Sequence, residues 1–490
     1  MLRRRFCQAS LVAGGALALS PWLRAAGAEV HATTIAGKEL SLPASAVDDL
    51  AAGLRGPLLL PGNAAYDEAR QVLNPTIDKH PALIVQPSGV ADVMRAVQFA
   101  QDHRLSTAIK CGGHSASGKS TVNGGLQIDL SRFRHVRVDP AQRVAYVSGG
   151  SLLGAMDHEA LAHGLVTTAG TVSHTGVGGL ATGGGFGRLG RKYGLTLDNI
   201  KAVEVVSADG QVRRASADEY ADLYWGVRGG GSNFGVVTGF EFQLHPMDRH
   251  VLLGNFVYPY ARLKDALAFY AEFGPRAPDE LQVDLVFGFP PGNDQGFVFF
   301  QNVWCGREAD GRKLLEQYAS LGKPIQQTLA MTDYEVIQRS SDWDAPRSTA
   351  TYLKGGFLSE LTPALIDDIA AGLEPGAGRS AQMIFQQAGG AIGRVPADAT
   401  AFPHRYAEFN MMTTIGWKPD QPADPHKQWI KSYWSKLAPY THGFYSVEAD
   451  DDNASQWDRN YQGNYARLVE VKRRYDPDNI FRLNANVSPA

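Results

Sequence analysis

The chain is 490 residues long, enough for one large domain or two around a well-buried core. Its 47 lysines and arginines against 50 aspartates and glutamates leave a net charge of −3, which gives no electrostatic footprint for nucleic acid. An aromatic content of 10% argues against disorder, and three cysteines are too few for a disulfide framework, although one bridge between Cys111 and Cys305 stays open.

In chain order, residues 1–28 read as an export signal. Arg3-Arg4-Arg5-Phe6 is a twin-arginine pattern ahead of LVAGGALALSPWL, an apolar run too short to span a membrane. Ala26-Gly27-Ala28 offers a small-x-small cleavage site, so the mature chain is expected in the periplasm or secreted. The competing reading is an unprocessed basic N-terminus on a cytoplasmic protein. A short helix is expected at Ser45 to Gly53 and another from Tyr66 to Leu73. Ala82 to Gln86 reads as a buried strand. Ser88 to His103 reads as an amphipathic helix capped by Ser88, with Val93, Ala96, Val97 and Ala100 on one face.

Val136 to Val138 and Val144 to Ser148 flank an Asp-Pro turn as a hairpin, and Leu152 to His163 is helical. Residues 200–216 are two strands joined by Ala-Asp-Gly, Phe234 to Leu244 is another strand, and His245-Pro246 marks a boundary. Beyond it, strands such as Gln282 to Phe289 and Gly296 to Val303 alternate with helices at Arg312 to Leu321 and Pro363 to Leu373. That is the texture of an α+β domain with a mostly antiparallel sheet. A last helix is expected from Tyr461 to Tyr475.

Two glycine-rich stretches carry the chemistry: KCGGHSASG from Lys110 to Gly118, and GTVSHTGVGGLATGGGFG from Gly170 to Gly187. Glycines at a strand end let backbone N–H groups approach a ligand closely, often a phosphate. A lone imidazole, His114, stands in the first loop. Two literal motif matches fail on context. Gly113 to Ser120 satisfies GxxxxGK[ST], but Thr-Val-Asn-Gly-Gly and then a strand follow it, where a phosphate loop opens a helix. Gly185 to Gly190 satisfies GxGxxG, but no strand leads into it, and Asp209 belongs to a hairpin turn.

Taken together, KCGGHS, the Gly170–Gly187 loop, GLTLDN from Gly194, DLYWGVRGGGSNFGVVT from Asp222 and YDPDNIFRLNANVSP from Tyr475 resemble the FAD-linked oxidases related to berberine bridge enzyme. These belong to the vanillyl-alcohol-oxidase superfamily, with its PCMH-type FAD-binding domain. The resemblance implies an α+β fold: a two-part FAD-binding domain over 60–248, a substrate domain over 249–440, and a C-terminal segment, 441–490, that packs back on the first domain.

The resemblance also implies FAD between the two halves of the first domain, with loop amides on its pyrophosphate. The implied contacts are Lys110, Cys111, Gly112, Gly113, Ser115 and Gly118 in the first loop. The second loop supplies Gly170, Val172, Ser173, Thr175, Gly176, Gly178, Gly179, Gly183, Gly184 and Gly187. Gly235 and Val237 follow on a strand, and Asn484 and Asn486, with Asn464, come from the tail. His114 matches the histidine bonded to the flavin 8α carbon, where a neutral imidazole is a competent nucleophile. Many members add a cysteine link in a CxxxGxGG pattern. Val172 stands there, so a single link is expected, with Cys111 read as a small buried side chain and less readily as a substitute nucleophile.

Thr175 matches the residue that gates dioxygen at the flavin edge; its small volume implies an oxidase, and simple backbone bonding is the alternative. His174 stays open between active-site and structural roles. On the substrate side, the resemblance makes Tyr445 the candidate base, on a strand in GFYSV with Val447 in place of the family's asparagine, and Gln387 an orienting amide. Trp304, Tyr352 and Trp417 are candidates for a pocket wall or for core. No metal is expected. The readings are an exported flavoprotein oxidase of an alcohol that passes electrons to dioxygen, a dehydrogenase with another acceptor, an amine or alkaloid oxidase, and a flavin carrier without turnover.

Overall fold

A computed structural model describes residues 29–342, 347–376, 378–448 and 455–489; the export-signal expectation lies outside the described residues. Residues 29–58 are better ordered than their mixed sequence suggests. Val30–Thr33 and Glu39–Leu42 form an antiparallel hairpin, and the Thr33 carbonyl accepts from Ser106 N–H at 2.9 Å.

The first half of the FAD-type domain is a four-stranded sheet in the order Leu58–Leu59, Leu83–Val85, Leu126–Asp129, Thr107–Lys110. Its last three strands are parallel, so each connection crosses over, and the helix Val90–Asp102 provides one of them. Val93, Ala96, Val97 and Ala100 are buried on this helix as its periodicity requires. Its cap differs from expectation. Gly89 is the capping residue and Ser88 makes no side-chain cap; instead the Asp92 carboxylate accepts from the Ser88, Gly56 and Arg55 amides at 2.8, 2.9 and 3.0 Å.

The second half is a five-stranded antiparallel sheet, with Ile200–Ser207 and Gly235–Gln243 at its centre and the hairpin Val136–Asp139/Val144–Ser148 at one edge. The His245-Pro246 boundary is itself paired, antiparallel to Leu165–Val166. Beyond it lies a seven-stranded, wholly antiparallel sheet that runs from Gln326–Asp333 at one edge to Ala350–Leu358 at the other. The helices Leu263–Arg276, Pro363–Gly372 and Ala423–Leu437 cover one face of it.

The tail returns to the first domain. The expected Tyr461–Tyr475 helix is broken into Trp457–Tyr461 and Tyr465–Tyr475, with Gln462 at φ 51° between them. Lys472 and Asp476 are fully buried and paired at 2.6 Å. Lys472 Nζ also donates to the carbonyls of Asn233 (2.8 Å) and Phe481 (2.9 Å), while Asp476 accepts from the amides of Ile480 and Phe481. Ile480 and Phe481 then pack into the core of the first half. The motif tail is therefore a buried clamp.

Candidate active site

The two glycine loops close on each other. A Cβ on Gly112 would stand 2.4 Å from Gly176 N, and one on Gly176 would stand 2.3 Å from Gly112 N, so only glycine lets the backbones meet. Between the loops runs a cavity. Cys111, Gly112, Gly113, His114 and Ser115 line it from the first loop; Gly170, Val172, Thr175, Gly176, Gly178, Gly179 and Gly183 line it from the second. Val237, Asn484 and Tyr445 complete this part of the wall. Gly179 and Gly231 face it so openly that an added Cβ would meet no protein atom within 4 Å.

Several expected contacts fall elsewhere. Lys110 is turned away, with Nζ 2.6 Å from the Ala69 carbonyl and 3.8 Å from Asp129. Gly118 packs against Ile77 at φ +69°, Gly187 against the Ala169 carbonyl and Gly235 against the Val206 carbonyl. Gly184 stands beside the Tyr445 ring. Ser173 is taken by Asp342, which accepts from its amide at 2.7 Å and from its hydroxyl. Asn486 opens onto a neighbouring cavity, and Asn464 donates to the Ala397 and Thr400 carbonyls. None of these expected contacts lines the cavity. The buried Arg188 guanidinium fixes the second loop from the substrate side, with Nη1 bonded to the Thr171 carbonyl (3.2 Å) and to Gln338 (3.0 Å).

His114 Nε2 lies 2.8 Å from His174 Nδ1, and its Nδ1 lies 3.4 Å from Thr175 Oγ1. Burial, then the neighbouring His174, lowers its pKa to about 4, so the ring is neutral through the neutral range. Cys111 and Cys305 are free thiols, so the bridge left open by the sequence is absent. Burial pushes both up to about 11, which leaves Cys111 protonated although it lines the cavity.

Tyr445 lies in irregular chain just ahead of a turn at 446–448, where a strand was expected. Its phenol oxygen accepts from the Gly185 amide at 2.6 Å, and its ring meets Phe186 edge-on at 5.3 Å. Burial, reinforced by Glu448, holds that phenol well above its ordinary range. This revises Tyr445 from base to neutral hydrogen-bonding group. Gln387 is corrected outright: it points to the helix-covered side, accepting from Val283 N–H at 2.8 Å and donating to the Gly274 carbonyl at 2.5 Å. The pleat puts its neighbour Gln386 on the cavity instead. Trp304, Tyr352 and Trp417 do not line it.

Lys119, Ser120, Ser232, Gln386, Glu448 and Tyr461 line the cavity and were missed by sequence reasoning. Strand alternation on Arg379–Gln387 was the one usable signal, and it speaks only for Gln386. Among the described residues no group of three or more His, Cys, Asp or Glu could hold a metal, and no helix is long and apolar enough to cross a membrane.

Backbone amides exposed by side-chain-free loops, an open cavity between two subdomains and a neutral imidazole on its wall fit a dinucleotide that carries a flat ring system. The class defined by this fold and site is a PCMH-type FAD-binding flavoprotein. Two family models match the chain: an FAD binding domain over residues 81–216, and "Berberine and berberine like" over residues 445–488. An FAD-linked oxidoreductase of Dictyostelium discoideum is 32% identical over 448 residues, 90% of this chain and 97% of that one. The 6-hydroxy-D-nicotine oxidase structure from Arthrobacter nicotinovorans superposes with a TM-score of 0.82 at 26% identity, over 89% of this chain and 98% of that one. Glucooligosaccharide oxidase from Acremonium strictum, which carries a 6-S-cysteinyl, 8α-N1-histidyl FAD, shares the fold with a TM-score of 0.82 at 24% identity over 91% and 99% of the chains. The chain belongs to the berberine bridge enzyme-like family of FAD-linked oxidoreductases, and it is an FAD-dependent oxidoreductase.

Proposed function

We propose that this protein is an exported FAD-dependent oxidase of an alcohol, a sugar or secondary-metabolite hydroxyl, with the flavin held through one covalent bond from His114 and dioxygen as electron acceptor. One observation carries the reading: a neutral His114 and a Val172 side chain face the same cavity, so one wall offers a nucleophile and the other none. Bound FAD supplies a two-electron acceptor whose N5 takes a hydride. His114 would supply a ring nitrogen for the covalent bond; Nε2 makes the tighter contact, 2.8 Å to His174, and Nδ1 the looser, 3.4 Å to Thr175 Oγ1. The glycine amides would hold the pyrophosphate, and the Tyr445 hydroxyl would orient the reacting group. Thr175, small and on the wall, leaves dioxygen a path. Export rests on the twin-arginine pattern at Arg3 to Phe6.

An amine substrate is the second reading, favoured by the likeness to a nicotine oxidase that spans nearly all of both chains. The test is to precipitate the purified protein in acid, map the flavin-bearing peptide by mass, and screen aldoses, disaccharides, benzylic alcohols and cyclic amines for anaerobic bleaching and aerobic peroxide. Yellow pellet on a peptide containing His114 alone, with peroxide from an alcohol, is the expected result. Flavin in the supernatant would remove the covalent link, and bleaching by amines alone would exchange the substrate class.

A further inference from the structure

Glu448 stands where two cavities meet. It lines the flavin cavity, and with Tyr445 it also lines a second cavity bounded by Lys354, Trp434, His442 and Arg459. The turn that carries it fixes the pair, because Glu448 N–H donates to the Tyr445 carbonyl at 3.0 Å. Asn410 Nδ2 donates to Gln386 Oε1 at 3.0 Å and approaches Glu448 Oε2 at 3.4 Å, so two neutral amides align beside the carboxylate. Gly355 borders the carboxylate, where an added Cβ would meet Oε2 at 3.6 Å, an ordinary contact. Nothing in the motif pattern marks this glutamate.

We propose that Glu448 is the proton acceptor of the reaction, taking the hydroxyl proton of the bound alcohol at its carboxylate while hydride leaves the same carbon for the flavin. The inference rests on the alcohol-oxidase reading above. The step balances: the O–H bond breaks with its proton going to Glu448, and the C–H bond breaks with its electron pair going to flavin N5. The C–O bond becomes C=O, and the alcohol is oxidised by two electrons that dioxygen later removes. The proton leaves Glu448 toward the second cavity. Burial raises the carboxyl to about 8, with Asn410 opposing weakly, so its ionised form grows through the mildly alkaline range. Tyr445 beside it stays protonated and competes poorly for the proton. The other titratable groups around it are Lys354, His442 and Arg459 at the second cavity, and Lys119 and His114 across the first.

The test compares holoenzyme with Glu448→Gln and Glu448→Asp in two readouts. The first is anaerobic flavin bleaching from pH 6 to 9 by whichever panel alcohol reduces the parent enzyme. The expected result is normal flavin content, a loss on the order of 10²-fold or more in Glu448→Gln, partial recovery in Glu448→Asp and loss of the rise toward pH 8. The second readout uses sulfite, an anion that adds to flavin N5. Ionising Glu448 should weaken its binding relative to Glu448→Gln as pH rises. Bleaching by Glu448→Gln within threefold of the parent, with the same pH profile, overturns the proposal. If no alcohol bleaches the parent, the proposed function itself fails. Sulfite titrations that run parallel in parent and Glu448→Gln overturn the placement of Glu448 independently.

Discussion

His114 Nε2 and His174 Nδ1 are hydrogen-bonded across 2.8 Å, with the two rings tilted by 38° and their centroids 4.8 Å apart. That bond fixes the His114 ring, with Nδ1 turned toward Thr175 Oγ1 at 3.4 Å. His174→Ala is therefore expected to keep FAD bound while most of it dissociates in acid. His114→Ala is expected to lose all acid-stable flavin. Acid precipitation with absorbance of pellet and supernatant decides both, and a His174→Ala pellet as yellow as the parent's would reduce His174 to a packing residue.

Gly176 and Gly179 sit three residues apart and should respond oppositely. Alanine at 176 drives a methyl into Gly112 N, an overpacking that costs about 1–3 kcal/mol. Alanine at 179 meets no protein atom and lies inside the helix Val177–Gly183, where replacing glycine gains about 0.5–1 kcal/mol. Its methyl nevertheless enters the cavity. Gly179→Ala is expected to raise apoprotein stability and lower FAD content, whereas Gly176→Ala lowers both. Urea denaturation of apoprotein and flavin-to-protein absorbance ratios separate the two.

The glycine loops were legible because close backbone approach or positive φ demands glycine, and that demand survives in sequence as Gly112, Gly176 and Gly178, with Gly113 at φ +69°. Periodicity likewise exposed the Val90–Asp102 helix and the antiparallel strands beyond residue 249. Side-chain direction was harder to read. Lys110 lies in the motif yet points to Ala69, and choosing Gln387 over Gln386 was a one-residue error that the pleat turned into opposite faces of the sheet. Glu448 left no local signal, because its polar neighbour Asn410 comes from a strand distant in sequence. Of the three tail asparagines read as cofactor contacts, Asn484 lines the cavity, whereas Asn486 opens onto its neighbour and Asn464 bonds the Ala397 and Thr400 carbonyls.

The Lys472–Asp476 clamp yields a stability prediction. Lys472 and Asp476 are wholly buried, so removing one partner strands the other charge. Lys472→Met is expected to lose about 3–5 kcal/mol, with the Ile480–Phe481 segment exposed to protease first. The double variant Lys472→Met/Asp476→Leu should recover part of that loss. Limited proteolysis and denaturant midpoints measure it. Equal losses in single and double variants would show that the Asp476 bonds to Ile480 and Phe481 amides dominate.

Four buried groups make distinct contributions to the pH dependence of stability. His114 and His404 are lowered to about 4 and about 3, chiefly by burial. The unfolded chain protonates them near 6.5, so acidification below that pH favours unfolding until the folded values are reached. Asp157 and Glu448 are raised to about 7 and about 8, again chiefly by burial. The unfolded chain releases those protons near its ordinary carboxyl range, so between there and the folded values the folded state binds more protons and rising pH is destabilising. Among these four, the two pairs oppose each other from about 4 to 6.5, and above 6.5 only the acids act. Thermal midpoints at fixed FAD should therefore fall from pH 6.5 to about 8, then level. Glu448→Gln should flatten the fall on both sides of pH 7, whereas Asp157→Asn should lessen it only below pH 7, where both carboxyls contribute. A parent curve flat across this window would mean that neither carboxyl is raised.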